Sequence, residues 1–299
     1  MLASHGTFHH VYDFNEFHLP FGIHIELPEI MGFQITKYMV LQVIAAVLVF
    51  LVFRGLASHA KSGNPVTGYF WNFWEMLVLR IRDDVVRPVI GDPHHHDEHE
   101  HAHDETATYI TDSAGDRAHE GEVGHPADKY LPFLLSCFFF ILFCNLLGAF
   151  PWFGAATANI NVTGALAFTA FIATYFYGAQ MHGPVGFWTH MVPAVNAPAP
   201  IKVLLVPMIF GIEAGGLFIK NGVLCIRLFA NIMGGHTVMA VILGFIAQAA
   251  GGAQWFLVMP GSLAGQIGVG LLELLVAFIQ AYVFTFLSTI FIAMSLHEH

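Results

Sequence analysis

The chain has 299 residues, 56% of them hydrophobic and only 11% charged, with a formal net charge of -10. Ordinary soluble domains carry about 25% charged residues. This composition therefore excludes a typical water-soluble globule and points to a helical protein that crosses a membrane several times. The negative charge is local, arising from an acidic N-terminal stretch and one polar insert, so it says little about partners, and no nucleic-acid partner is expected.

Residues 1–35 form a polar-aromatic segment with acids at Asp13, Glu16, Glu26 and Glu29. The segment lacks Lys, Arg and an early apolar core, so it does not read as a signal peptide. Residues 36–56 are apolar enough for a first transmembrane helix, closed by Arg54. Residues 66–90 mix Phe70, Trp71, Phe73, Trp74 and Leu77 with Arg80, Arg82, Asp83, Asp84 and Arg87. That pattern predicts an amphipathic helix lying in the membrane interface, with a poorly inserted second span as the alternative. Residues 91–128 are a low-complexity acidic and His-rich insert, expected to be a flexible, solvated cytoplasmic loop. His94, His95, His96, His99, His101 and His103 within it are weak candidate ligands for Zn, Ni or Cu.

Residues 129–299 read as a membrane-embedded helical domain. Apolar spans are predicted at about Leu131–Phe150 and Val162–Gln180, followed by the Pro- and Gly-containing link Gly183–Pro200. Two longer helical patterns follow, at about Ile201–Ala249 and Leu263–Leu296, separated by Gly251, Gly252 and Pro260. Both exceed the roughly 20 residues that a perpendicular span needs, so strong tilt or a near-horizontal course is expected. The predicted fold is thus an all-α polytopic membrane protein: about five membrane-embedded helices plus one interfacial helix, the last two long and tilted. Basic residues cluster at Arg54, Lys61, Arg80, Arg82 and Arg87, and the positive-inside rule then places the N-terminus outside and the C-terminus in the cytoplasm. Cys137, Cys144 and Cys225 all fall in apolar segments and read as inert buried thiols.

Between Tyr130 and His297 only five formal charges occur: Lys202, Glu213, Lys220, Arg227 and Glu273. A guanidinium does not deprotonate, and placing one at mid-membrane costs roughly 2.5–3.5 kcal/mol on insertion scales. Such a residue is a functional candidate. At about 100° per residue, Glu213, Lys220 and Arg227, spaced by seven, share one helix face with Asn231. His236, nine residues beyond Arg227, points to nearly the opposite side. The last helix carries Gln266, Glu273 and Gln280, also spaced by seven. A carboxylate and an imidazole on facing helices, linked through water, can relay protons. A hydrogen-bonded helix-helix contact is the alternative for Glu273 and His236, and mutual pairing or snorkelling is the alternative for Glu213 and Lys220.

The run Ile226-Arg227-Leu228-Phe229-Ala230-Asn231-Ile232-Met233-Gly234-Gly235-His236 resembles the signature of subunit a of F-type ATP synthases. Gln280-Ala281-Tyr282-Val283-Phe284 through Ser288 to His297-Glu298-His299 is similar to that family's last helix, and Asn159-Ile160-Asn161-Val162-Thr163 to the start of its preceding span. The resemblance covers Tyr130–His299 closely and Gln34–Gly91 loosely. It implies a non-catalytic stator subunit in a bacterial inner membrane that forms two proton half-channels beside a rotating ring of c subunits. The b subunits of the peripheral stalk and, indirectly, the soluble ATPase sector are implied as further partners. Arg227 would face the ring carboxylate and seal the two half-channels, while Glu273 and His236 would relay protons. Gln280 and Asn231 would be polar neighbours of the arginine, and Glu213 would line the other half-channel. Asn159 stands where some members carry Asp, and the His-rich insert is longer than the family pattern. No cofactor is implied, and no phosphate-cradling Gly-Lys-Ser/Thr motif occurs. The rival readings are an independent secondary proton or cation transporter, which would require inverted repeats, and a haem anchor using His182, His190 or His236.

Overall fold

The computed structural model describes residues 16–19, 23–26, 28–30, 33–61, 68–91, 125–149, 154–190, 199–249, 251–252 and 254–296. Apart from two short hairpins ahead of the first helix, the described chain is helical. The hairpins pair Glu16–Leu19 (β1) with Ile23–Glu26 (β2) and Glu29–Ile30 (β3) with Phe33–Gln34 (β4), both antiparallel. Five helices are long and apolar enough to cross a membrane. They are α1 (Lys37–Lys61), α4 (Leu131–Gly148), α5 (Ile160–His182), α7 (Ala199–Ala249) and α8 (Trp255–Leu296). Three shorter helices, α2 (Tyr69–Arg80), α3 (Arg87–Ile90) and α6 (Gly186–His190), complete the set. The His-rich segment with His94, His95, His96, His99, His101 and His103 lies outside the described residues.

α4 is the centre of the bundle. Its sequence is apolar around the whole circumference, as a helix enclosed on all sides requires, and Leu134, Phe139, Ile141 and Leu142 are fully buried. α1 and α8 pack on it, and α5 packs on both α7 and α8. The second half of α8 is enclosed by these neighbours: Ala277, Ala281, Phe284, Thr289 and Ile292 are all buried. Its first half packs on α7 at Gly265 and Glu273 and leaves Ile267, Leu271, Leu272 and Leu275 exposed. Two partner-seeking hydroxyls, Thr285 and Thr289, satisfy themselves inside α8 by donating to the Ala281 and Thr285 carbonyls, which is how hydroxyls are tolerated in apolar surroundings.

α2 lies outside the five span-length helices. One face packs into the bundle through Trp74, whose ring sits 5.7 Å from Phe139 and 5.3 Å from Phe143. Arg80, Asp83 and Asp84 remain on the other, exposed face. Between α2 and α3 the helix widens into a π-turn over Ile81–Val86. Ile81, Val85 and Val86 are all buried, and the wider turn lets both valines follow Ile81 onto the inner side. The segment is then tied down by Arg87, whose Nε and Nη2 donate to the two Asp128 oxygens at 3.1 and 2.9 Å. That fork joins the two ends of the His-rich insert.

Two boundaries differ from expectation. α7 begins at Ala199, inside the stretch read as a link, because Pro200 sits in the first turn, where its missing N–H would have had no partner anyway. α8 begins at Trp255 and runs through Pro260, which the sequence reading placed in the separator. A proline near a helix start interrupts little of the hydrogen-bond ladder, and membrane helices accommodate it by local adjustment. The interior Pro207 of α7 is accommodated likewise.

Candidate functional site

The polar residues of the membrane domain are distributed over α7 and α8, and the pairing of those two helices decides which of them meet. The helices run antiparallel. Gly235 of α7 lies against Glu273 of α8: a Cβ placed on Gly235 would overlap the Glu273 carboxylate oxygen Oε1 and come within 2.9 Å of Cγ and Cδ. About two turns further along, a Cβ on Gly265 would touch Ile242 at 3.7 Å. Both contacts pair residues whose numbers sum to nearly the same value, and that register puts Gln280 opposite Leu228, beside Arg227. Gln280 is buried.

The missing side chain of Gly235 therefore makes the seat for Glu273. Oε1 is enclosed there with no hydrogen-bond partner among the described residues, and the residue next in sequence to that seat is His236, half-buried and about 100° round α7 from Gly235. The pattern of charges and spacings in the sequence does not single out Gly235. The local signal that could have found it is the Gly-His step facing a carboxylate one helix away.

Arg227 points elsewhere. Asn221, Leu224, Leu228 and Ile232 form the buried stripe of α7, while Arg227 and Asn231 are exposed. Their surroundings on that open face are apolar: Ile219, Val223 and Ile226 are 67%, 45% and 59% exposed. Among the described residues Arg227 has neither an ion-pair nor a side-chain hydrogen-bond partner. Glu213 and Lys220 are likewise exposed and do not pair with each other within ion-pair distance. The seven-residue spacing thus places Glu213, Lys220 and Arg227 along one outward line of a single helix, away from the Glu273 seat.

Further polar groups collect toward the other ends of these helices. Asn145 of α4 accepts a hydrogen bond from the Thr157 hydroxyl at 2.7 Å, and both residues are fully enclosed. Asn159 caps α5 by accepting from the Asn161 N–H at 2.9 Å, so its side chain has a structural task of its own. A cavity of about 440 Å³ opens beside it between α1, α4 and α5, with Gln42, Asn161 and Thr169 among its lining. A second, of about 540 Å³, lies between the end of α7 and the start of α8, with Gln248, Gln254 and Ser262 in its wall. Among the described residues no cluster of three His, Cys, Asp or Glu side chains could hold a metal ion.

A bundle of five span-length helices, with one carboxylate oxygen enclosed against a glycine and, among the described residues, an unpaired guanidinium on an apolar outer face, defines a multi-pass membrane protein that carries charged groups on its long apolar helices. Residues 105–293 match the sequence pattern of the ATP synthase A chain family. An ATP synthase subunit a of Chloroherpeton thalassium is 36% identical over 298 residues, covering 97% of this chain and 76% of the relative. One of Myxococcus xanthus is 34% identical over 307 residues, covering 97% and 88%. One of Anaeromyxobacter dehalogenans (strain 2CP-1) is 42% identical over 174 residues, covering 58% and 43%. The chain belongs to the ATP synthase A chain family.

Proposed function

We propose that this chain is the stator half of a rotary proton-translocating machine, in which Arg227 confronts a moving carboxylate supplied by a ring of c subunits. The observation that carries this reading is the guanidinium on an exposed, apolar helix face with no acid beside it among the described residues. A permanent cation has no reason to be left unpaired on a lipid-depth surface unless the matching anion comes from another polypeptide. The line Glu213, Lys220, Arg227 supports a long contact of that kind, because all three point outward along the same helix.

In this reading a proton enters by one half-channel, neutralises a ring carboxylate and travels round with the ring. Near Arg227 it is released into the second half-channel, because the cation favours the ionised carboxylate. Glu273 and His236 form the proton relay of one half-channel, entry or exit, with Gln280 and Asn231 as polar neighbours of the arginine, and Glu213 lines the other. The two cavities beside α5 and at the α7–α8 turn, each roomy enough for several waters, are suitable vestibules. Each elementary charge falling through 100 mV supplies about 2.3 kcal/mol, so a leak past the seal would directly lower the yield. The chain itself performs no bond chemistry; the b subunits and the soluble ATPase sector complete the machine. The N-terminus lies outside and the C-terminus in the cytoplasm of a bacterial inner membrane. Residues 129–299 form the channel domain, and residues 91–128 a cytoplasmic insert.

The decisive experiment is Arg227→Ala in the assembled complex. ATP-driven acidification of inverted vesicles is expected to fall to background, with ATP hydrolysis by the soluble sector retained, and Arg227→Lys is expected to behave similarly. Normal acidification in the alanine variant would sink the proposal.

A further inference from the structure

Two polar side chains deep in the bundle lie apart from both Arg227 and the Glu273 seat. Asn221 of α7 is 6% exposed and Ser288 of α8 is 1% exposed. The Asn221 amide nitrogen donates to the Leu217 carbonyl at 2.9 Å, but its Oδ1 is enclosed without a partner among the described residues, and so is the Ser288 Oγ. Ser288 is conspicuous against its neighbours. Thr169, Thr174, Thr237, Thr285 and Thr289 each donate to the carbonyl four residues earlier. Ser288, lying between two of them on α8, does not.

Both orphan atoms belong to one seam, where α5, α7 and α8 meet. On α7, Cys225 faces α5, with its Sγ 3.4 Å from the Thr163 hydroxyl, and Gly235 faces α8. Asn221 lies about 40° to one side of the Cys225 direction and about 40° to the other side of the Gly235 direction, so it bisects the two and points into the seam. The stacked rings of Phe171 and Phe218, 5.1 Å apart, complete the α5–α7 register and set Asn221 level with the buried, small Ala167. On α8, Ser288 lies two turns before Ser295, whose Cβ would be 3.1 Å from a Cβ on Gly178 of α5. It therefore faces α5 as well, within about one helical turn of Asn221's level. The antiparallel α7–α8 register gives the same answer, placing Asn221 opposite Leu287, the residue before Ser288.

We propose that Asn221 and Ser288 together bind one ordered water molecule, which accepts from the Ser288 hydroxyl and donates to Asn221 Oδ1. Enclosed polar atoms in native proteins are almost always satisfied, commonly by a buried water with two or more partners. Alanines on the α5 side leave the seam free of competing bulk. The bridge ties α7 to α8 about 9 Å along the helix from Arg227, on the side away from Glu273. It fixes the rotation of α7 about its own axis, and with it the bearing of Arg227, which lies about 120° round the helix from Asn221. These two residues are positioning residues; neither touches the travelling proton.

The test has two arms. A map of the intact complex at a resolution that shows waters is expected to contain density within hydrogen-bond reach of Asn221 Oδ1 and Ser288 Oγ. Absence of that density overturns the proposal, and this arm is independent of the reading given to Arg227. The second arm is a double-mutant cycle on ATP-driven proton pumping, with assembly followed by native gel. Asn221→Leu and Ser288→Ala are each expected to lower pumping several-fold in assembled complex, because each strands the other's polar atom. The double variant removes both polar atoms and fills the water's place, and is expected to recover most of the wild-type rate. Losses that multiply in the double variant, or single variants that pump normally, overturn the bridge.

Discussion

Gly235 shows how much one absent methyl can decide. Inserting atoms into a packed contact costs typically 1–3 kcal/mol, and here the inserted Cβ would overlap the Glu273 carboxylate itself. Gly235→Ala is therefore expected to lower ATP-driven proton pumping about tenfold or more, about 1.4 kcal/mol in barrier, without preventing assembly. Pumping at the wild-type rate would mean that Glu273 does not work from this seat. Exchanging the pair, His236→Glu with Glu273→His, is expected to retain more activity than removing either group alone; equal losses in all three variants would argue against a working pair. At this scale the sequence was informative wherever a charge had to be explained. Arg227 and Glu273 announce themselves by being ionic in apolar runs, and their spacing separates the faces. Gly235, Asn221 and Ser288 carry no such mark, because their importance depends on which atom of another helix lies opposite.

At the scale of elements, the segment from α2 to α3 illustrates a clasp. Its ion pair with Asp128 joins positions 41 residues apart, and hydrogen bonding to Arg87 holds the Asp128 carboxyl below the ordinary carboxylate range. A depressed carboxylate pKa contributes stability above the unfolded-state value and loses it as pH falls through the folded value. The clasp is thus expected to stay shut at neutral pH and to open only on strong acidification. Asp128→Asn is expected to open it at all pH values, read as faster hydrogen exchange over residues 125–130. Unchanged exchange in that variant would show that packing of the neighbouring apolar residues alone holds the segment. Amphipathic character was readable here from the alternation of aromatics and charges. The π-turn was not, since nothing local distinguishes Ile81–Val86 from ordinary helix until Val85 and Val86 are seen to share the inner side. The prolines misled for a related reason. Pro200 and Pro260 signal helix ends in water, yet near a helix start within a membrane they leave most of the ladder intact.

For the molecule as a whole, length sets orientation. The apolar span of α7 covers 46 residues and that of α8 42, or about 69 and 63 Å at 1.5 Å per residue. The hydrocarbon core is about 30 Å thick, so both helices must incline far from the bilayer normal, α7 by roughly 65° if straight and confined to that core. Polarised infrared dichroism of the subunit in oriented bilayers is expected to report a mean helix tilt well above the roughly 20° of ordinary spanning helices. A mean near 20° would require these helices to project far into water. The count and order of spans were legible from hydropathy because the bilayer imposes one length scale on every crossing. The pairing of α7 with α8 was legible only as a pattern of spacings; the partner of each residue needed the three-dimensional register.

The bare guanidinium on α7 has a consequence for how such a chain is made. A subunit inserted by the translocation machinery ahead of its companions would present Arg227 to acyl chains, dragging water and headgroups toward it at an energetic penalty. On the function proposed above, delivery of an anionic companion would relieve the defect in one step, so that electrostatics would couple insertion of this chain to the arrival of its partner.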